Sequence, residues 1–313
     1  MRELARCNPV RDSDQHVSSL IPVVAALCLT GSLSACAPSN WRAQRHSTPV
    51  AAGTRPAVEH PTRIETAVAP RRPDLEASSQ HDTPTRAAGR SGGWSDLSVP
   101  GFEPAVLWVP GQVTGPRPVL VVAHGAGGHA RWHCELYAER IHAEAYILCP
   151  RGVRMVADRS VESGYYFPNH YELEREVMTG LEALWSSFPD AARTSIVYAG
   201  YSQGATMGAL MIVEHADVFH RLVLIEGGTG EWNLARAQQF RRRGGQRILF
   251  ACGREHCRDT AHRSAHWLER AGLVVRVLYA RGAGHTPAGV VGEKVAEAFG
   301  WLTEGDPRWQ SSE

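Results

Sequence analysis

Short apolar runs alternate with longer amphipathic stretches from about residue 94 onward, and this rhythm restricts the fold more than any other feature. The runs end in Gly or Pro, and several are apolar throughout, as in PVLVVAHGAGG (118–128) and SIVYAGYSQG (195–204). Continuously apolar strands are typical of a parallel sheet that is covered on both faces. The intervening stretches, such as 171–188 and 261–272, have apolar residues at helical spacing. The sequence therefore predicts an α/β domain with a doubly wound, mainly parallel sheet flanked by helices.

Charge gives little information about partners. The 313 residues carry a formal net charge of +1, and acidic and basic residues are interspersed. Nucleic-acid binding surfaces and polybasic membrane patches require clustered positive charge. We therefore expect no nucleic-acid partner.

Ser202 lies in the pattern Gly200-x-Ser202-x-Gly204, where an apolar run gives way to a predicted helix. A sharp strand-turn-helix holds its central residue in a strained conformation and lifts the side chain clear of the sheet. Glycines two residues before and after it remove side chains that would collide with the neighbouring strand and helix. We interpret Ser202 as a nucleophile; the alternative is a serine in a structural turn.

A serine hydroxyl needs a general base, and His285 is the candidate. His285 follows the last apolar run, in RGAGHTPAG (281–289), and precedes a helix predicted over 289–302. A base for Ser202 would have to stand in such a loop. The alternative role for His285 is a loop residue that caps the helix.

The segment AHGAGGHA (123–130) ends an early strand with small residues, so its backbone can approach an acyl group closely. The oxyanion formed during acyl transfer requires hydrogen-bond donors. We expect the N–H of Gln203 to be one donor and that of Ala126, or alternatively Gly125, to be the other. Because a base is already available, His124 is interpreted as a support for the loop.

The HG loop, the G-x-S-x-G turn and the late G-x-G-H segment, in this order over about residues 100–302, resemble those of α/β-hydrolases. The short core resembles the dienelactone hydrolase, carboxylesterase and polyhydroxybutyrate depolymerase-like branches, and this implies a domain without a large cap. The resemblance implies Ser202 as nucleophile, His285 as base, and Gln203 and Ala126 as oxyanion donors. It implies chemistry that needs no cofactor.

The resemblance leaves the acid of the triad open. The family's acid usually follows the penultimate strand, often three residues past a glycine, where this chain has His256. Glu255 and Asp259 flank that position, and Glu226 follows the preceding strand, where some members carry the acid. We rank Asp259 first, Glu226 second and Glu255 third. A surface or helix-capping role is the alternative for Asp259.

Residues 1–35 resemble a bacterial lipoprotein signal peptide. Basic residues precede the apolar run LIPVVAALCLTG (20–31), which is too short to span a bilayer comfortably, and LSAC (33–36) follows as in a lipobox. The resemblance implies lipidation of Cys36 and attachment to the outer membrane, on its periplasmic or surface face. The alternative is an ordinary signal peptide with a chance cysteine.

The remaining segments follow from composition. Residues 36–93 are rich in Pro, Ala, Ser and Thr and have no sustained apolar period, so we predict a disordered tether that begins at the lipidated cysteine. We expect the hydrolase domain over 94–304 and a C-terminal tail over 305–313.

After cleavage before Cys36 and lipidation of that residue, four cysteines remain, and an even number in an exported protein is compatible with two disulfides. Proximity in the sequence favours Cys134–Cys149 and Cys252–Cys257. The other two connectivities and four free thiols are the alternatives.

Loops that follow strands carry four aromatic residues that are candidates for an acyl or leaving-group pocket: Trp132, Tyr165, Tyr166 and Phe167. Packing against the rim is an equal alternative for them. His262 and His266 have the i, i+4 spacing of metal ligands, but no third ligand is evident, so we expect no metal site.

We interpret the chain as a secreted, lipid-anchored serine hydrolase that cleaves a small-molecule or polymer ester through an acyl-enzyme. The same machinery serves thioesterases and peptidases. The alternative is a surface binding or adhesion protein that keeps the fold but has lost efficient chemistry. The displaced acid and the long tether motivate that alternative.

Overall fold

The structure of the protein is a computed structural model that describes residues 92–111, 115–141 and 144–309. The predicted signal peptide, Cys36 and the predicted tether up to residue 91 lie outside these residues. Within the described ranges, no helix combines the length and the apolarity that crossing a bilayer would require.

A sheet of eight strands forms the centre of the described residues. Its strands are β1 (Gly93–Leu97), β2 (Ala105–Val109), β3 (Val119–Ala123), β4 (Tyr146–Cys149), β7 (Ile196–Tyr201), β8 (Phe219–Ile225), β9 (Arg247–Cys252) and β10 (Val274–Tyr279). A separate small hairpin contains β5 (Val153–Arg154) and β6 (Tyr165–Tyr166). The strand order is β1-β2-β4-β3-β7-β8-β9-β10, with β1–β2 and β2–β4 antiparallel and all other pairs parallel.

Helices cover both faces of this sheet. One face packs against α1 (Ala130–Arg140) and α6 (Gly289–Thr303), and the other packs against α2 (His170–Ser187), α3 (Gln203–Met211), α4 (Leu234–Arg242) and α5 (Glu255–Arg270). The predicted doubly wound, mainly parallel α/β architecture is confirmed. Between β8 and β9 the chain has only α4 and its connections, so no cap interrupts the domain there.

Strand β3 shows why the sequence folds in this way. Val119 and Val121 belong to the core under α2–α5, whereas Leu120 and Val122 belong to the core under α1 and α6. Successive side chains of a strand point to opposite faces, so a strand buried on both faces needs apolar residues at consecutive positions. The continuous apolar runs of the sequence meet this requirement.

The chain ends of the domain differ from the predicted boundaries. Strand β1 begins at Gly93, which we assigned to the tether. The predicted tail also begins inside the packed structure, because Asp306 is 5% exposed and pairs with Arg308 at 2.7 Å and with Arg221 at 3.8 Å. Ion pairs of this kind have no periodic signal in the sequence, so the pattern alone did not reveal the two contacts of Asp306.

Both favoured cysteine pairs lie at disulfide distance. Cys134–Cys149 joins α1 to β4, and Cys252–Cys257 closes the turn between β9 and α5.

Candidate active site

Ser202 occupies the turn between β7 and α3 with backbone angles that serine rarely adopts, φ 50° and ψ −110°. The turn is tight because two glycines lack side chains. A Cβ on Gly200 would lie 2.6 Å from the Cα of Ala205, and a Cβ on Gly204 would lie 2.4 Å from the carbonyl oxygen of Ala123. Ser202 therefore projects from the carboxyl end of β7, as the sequence pattern predicts.

The register of the sheet brings Glu226 beside Ser202. Tyr201 pairs with Ile225, so the next residue of each strand leaves the sheet at the same level. The Ser202 N–H donates to the carbonyl of Ile225 at 2.9 Å. Glu226 also has a positive φ, of 53°. Such backbone strain is concentrated at functional sites.

His285 reaches both residues from the loop that follows β10. Its Nε2 lies 2.8 Å from Ser202 Oγ, and its Nδ1 lies 2.9 Å from Glu226 Oε2. The Tyr201 hydroxyl donates to the His285 carbonyl at 2.8 Å and so ties this loop to the residue before Ser202. The imidazole thus contacts a hydroxyl on one side and a carboxylate on the other.

The Glu226 carboxylate is fully enclosed and accepts four hydrogen bonds. Oε1 accepts from the N–H of Gly253 at 2.6 Å and of Arg254 at 3.0 Å, and Oε2 accepts from Arg254 Nε at 2.6 Å as well as from His285. Burial acts to raise the pKa of Glu226, but the hydrogen bonds from His285, Gly253 and Arg254 together hold that pKa below its ordinary value. An ionised Glu226 fixes the imidazole proton on Nδ1 and leaves Nε2 to accept from Ser202.

Asp259, the acid ranked first from the sequence, is not the carboxylate beside His285. Helix α5 begins at Glu255, so Asp259 lies in its second turn, half exposed, and pairs with Arg258 at 2.7 Å. Glu255 is exposed at the start of the same helix. The structure corrects the ranking. The turn closed by Cys252–Cys257 leads directly into α5, so Asp259 lies on that helix, whereas Glu226 contacts the imidazole of His285.

The expected oxyanion donors lie on two segments that are held by the same short stretch, residues 165–167. Tyr165 exchanges two backbone hydrogen bonds, of 2.8 and 2.9 Å, with residues 127–128. Phe167 donates its N–H to the side-chain oxygen of Gln203 at 2.9 Å. This contact could not be predicted from the sequence, since a glutamine side chain bound to a backbone N–H 36 residues away leaves no local pattern.

The N–H groups of Gln203 and Ala126 have no hydrogen-bond acceptor among the described residues. The neighbouring N–H groups of Gly127, Gly128 and Gly204 donate to backbone carbonyls instead. Gln203 is also the first residue of α3, where the helix dipole favours negative charge. The two free N–H groups are thus available to a developing oxyanion.

His124 lies buried beneath this loop. Its Nδ1 is 2.7 Å from the carbonyl oxygen of Gly125, and its Nε2 is 2.9 Å from that of Arg151. Burial lowers the pKa of His124, so the neutral ring donates to one of these carbonyls at a time. This placement suits the supporting role expected for His124, because the ring binds the backbone of the loop.

The four aromatic candidates for a pocket occupy different environments. Trp132 is 45% exposed at the start of α1, and Tyr166 is half-buried. Tyr165 is buried, and its hydroxyl accepts from Arg154 at 3.0 Å. Phe167 is fully buried and stacks on His124 with ring centroids 4.7 Å apart. Phe167 is therefore a core residue, which favours packing over pocket lining, the two roles that the sequence left open for it.

One group of potential metal ligands occurs in the part of the chain that the structure describes: Glu226, Cys252 and Cys257, whose ligand atoms lie within 4.8 Å of one another. The two sulfur atoms are bonded to each other, and the carboxylate accepts four hydrogen bonds, so these groups are not free to coordinate a metal. His262 and His266 are exposed on α5.

No protein-family model and no curated protein matches the sequence. Solved structures do match the fold. The fluorophosphonate-binding serine hydrolase F of Staphylococcus aureus is 12% identical, with a TM-score of 0.50 over 68% of this chain and 99% of that protein. TT1662 from Thermus thermophilus is 17% identical, with a TM-score of 0.50 over 68% of this chain and 99% of that protein. The chain has the α/β-hydrolase fold, as the sequence motifs predict.

Proposed function

We propose that the protein is a serine hydrolase with Ser202 as nucleophile, His285 as general base and Glu226 as acid. The observation that carries the proposal is the continuous chain of contacts from Ser202 Oγ through the His285 ring to Glu226 Oε2, at 2.8 and 2.9 Å. An isolated serine is a weak nucleophile, and this arrangement supplies the base and the group that orients it.

The geometry supports an acyl-enzyme mechanism. Ser202 Oγ attacks the acyl carbon while His285 Nε2 takes its proton, and the buried Glu226 carboxylate stabilises the resulting imidazolium. The N–H groups of Gln203 and Ala126 bind the oxyanion. The imidazolium then protonates the leaving group, and a water molecule, activated by the same imidazole, releases the acid and restores Ser202.

We propose a carboxylic ester as the substrate. The compact core resembles esterase branches of the α/β-hydrolases, and only α4 intervenes between β8 and β9, where cap domains commonly lie. Thioesters and amides remain alternatives for the same machinery. A screen of matched ester, thioester and amide substrates that share one acyl group would rank the three, and faster turnover of the amide would refute the ester assignment.

Labelling with a fluorophosphonate tests the nucleophile directly. We expect one adduct per molecule, on Ser202, because only a serine activated by a base attacks the phosphorus at a useful rate. His285→Ala should label at least about 10³-fold more slowly. Intact-mass and peptide mass spectrometry would measure both. A folded wild-type protein that forms no adduct would contradict the hydrolase and favour a surface binding protein.

We also propose that the protein is exported and anchored by a lipid on Cys36. The apolar run at 20–31 and the LSAC sequence support this, and two cysteine pairs at disulfide distance suit an oxidising compartment. In a bacterial host, metabolic labelling with an alkyne fatty acid is expected to modify the wild-type chain and to fail for Cys36→Ala. Equal labelling of both would contradict lipidation at this position.

A further inference from the structure

We propose that the disulfide-closed turn Cys252–Cys257, called here the cystine loop, positions the acid and the base of the triad relative to each other. The inference rests on the proposed function, because it assigns the loop a role in the chemistry at Ser202. It concerns residues that contact Glu226 and the His285 loop and that do not themselves contact Ser202.

The first set of contacts holds the acid. Gly253 and Arg254 lie inside the cystine loop, and their N–H groups donate to Glu226 Oε1 at 2.6 and 3.0 Å. The Arg254 guanidinium adds a third bond, to Oε2 at 2.6 Å. Three of the four hydrogen bonds that the buried carboxylate accepts therefore come from this loop.

The second set of contacts holds the base. The His285 loop crosses the end of β9, where the Ala280 N–H donates to the Cys252 carbonyl at 2.8 Å and the Gly284 N–H donates to the Gly253 carbonyl at 3.3 Å. Residue 253 must be glycine for this approach, since a Cβ there would lie 2.2 Å from the carbonyl oxygen of Gly284. Gly253 thus contacts Glu226 through its N–H and the residue before His285 through its carbonyl.

The disulfide fixes the two ends of the cystine loop. Cys252 is the last residue of β9 and Cys257 lies in the first turn of α5, and both are buried. The bond between them limits the movement of Gly253 and Arg254 with respect to the sheet. Because the carboxylate and the imidazole must be held in a defined geometry for proton transfer, a small displacement of these N–H groups would slow the reaction.

If Cys252–Cys257 only stabilised the fold, it would be the less important of the two disulfides. Cross-links that close longer loops stabilise a protein more in the chain-entropy model. Cys134–Cys149 closes a separation of 15 residues and Cys252–Cys257 closes one of only 5. If stability alone mattered, loss of Cys134–Cys149 would be the more harmful change.

The test compares Cys252→Ala/Cys257→Ala with the matched control Cys134→Ala/Cys149→Ala in the full chain. On a p-nitrophenyl ester, we expect the first variant to lose about 10- to 100-fold in kcat with KM within about twofold of wild type, because it misplaces catalytic groups and not the substrate. We expect the control to keep kcat within about threefold of wild type, while its Tm falls further than that of Cys252→Ala/Cys257→Ala. In the control protein, Cys252–Cys257 is the one disulfide left among the described residues, so dithiothreitol should reduce it and lower kcat reversibly.

A second readout does not depend on turnover. The His285 Nδ1 proton bound to Glu226 should give a downfield ¹H NMR resonance that is absent in His285→Ala. We expect this resonance to broaden or move in Cys252→Ala/Cys257→Ala and to stay in the control. An unchanged resonance, or equal losses of kcat in both disulfide variants, would overturn the positioning role even if the protein is an active esterase.

Gly253→Ala keeps the disulfide and gives a second route if the double variant does not fold. Its Cβ should push the His285 loop away, so we expect the same fall in kcat and the same change in the resonance. Gly300→Ala is the control, since a Cβ at that helical position meets nothing within 4 Å. Normal kcat in a folded Gly253→Ala variant would also overturn the proposal.

Discussion

Ser202→Ala is expected to lower kcat by roughly 10⁵- to 10⁶-fold on any ester that the wild-type protein hydrolyses, as loss of a triad nucleophile does in other serine hydrolases. The change removes the only hydroxyl that contacts His285 Nε2 among the described residues. Any residual rate would come from oxyanion binding and substrate orientation. Steady-state hydrolysis of p-nitrophenyl esters at saturating substrate measures the loss. Alanine bears the positive φ at a cost similar to that of serine, so Tm should stay within about 3 °C.

Ser195 provides a matched control for this change. Like Ser202, it has a positive φ, of 59°, and its hydroxyl lies close to a histidine, 2.9 Å from His220 Nδ1. It precedes β7, however, whereas ligands of open α/β sheets bind at the carboxyl ends of the strands. Ser195→Ala should keep kcat within about twofold of wild type. Similar losses in both variants would indicate damage to β7, and full activity in Ser202→Ala would refute the assignment of the nucleophile.

The features that the sequence predicted correctly are those set by neighbouring residues. Gly200, Ser202 and Gly204 lie within five consecutive residues and form a recognisable pattern, although only Gly200 avoids a collision with the helix that follows, and Gly204 avoids one with Ala123 of the neighbouring strand β3. Likewise, the apolar runs predict buried parallel strands, since each strand must fill two faces with its own side chains. The sharp turn at Ser202 and the α/β fold could therefore be predicted from the sequence pattern without knowledge of the strand order.

Which carboxylate contacts His285 depends on information that no local pattern contains. Glu226 meets His285 because β7 and β8 are neighbours with Tyr201 opposite Ile225, and because the loop after β10 crosses the end of β9. Strand order and register therefore determine both where Glu226 lies and where the His285 loop passes. In the sequence, Asp259 lies closer than Glu226 to the usual position of the family's acid, after the penultimate strand. Because α5 begins at Glu255, Asp259 lies on this helix and not in the loop before it.

Glu226→Gln is expected to lower kcat by about 10³- to 10⁴-fold with little change in KM, as replacing a triad carboxylate by its amide does elsewhere. Both carboxylate oxygens accept from two N–H groups each. An amide has one oxygen and one NH₂ group, so in either orientation its NH₂ faces donors. If the NH₂ faces His285 Nδ1, the imidazole takes the other tautomer and Nε2 can no longer accept the proton of Ser202. If it faces the cystine loop, Gly253 and Arg254 lose their acceptor.

Asp259→Asn is the control, since Asp259 is half exposed and pairs with Arg258, and it should keep kcat within about twofold. Steady-state kinetics on one ester with both variants would decide between the carboxylates. A large loss in Asp259→Asn together with normal turnover in Glu226→Gln would return the acid to α5.

Glu226→Gln should also change the pH dependence of stability, which is measured independently of turnover. The folded protein holds the pKa of Glu226 below its ordinary value, so ionised Glu226 contributes stability that is fully present above the pKa of an unfolded glutamate and is lost as pH falls through the lower folded value. Glu226→Gln lacks this contribution at every pH. The Tm of wild type should therefore exceed that of Glu226→Gln at neutral pH, and the gap should narrow as the pH falls below the ordinary range of a glutamate. A gap that stays constant with pH would show that Glu226 is not an ionised partner of His285 and Arg254, and would remove the physical basis for its role as the acid.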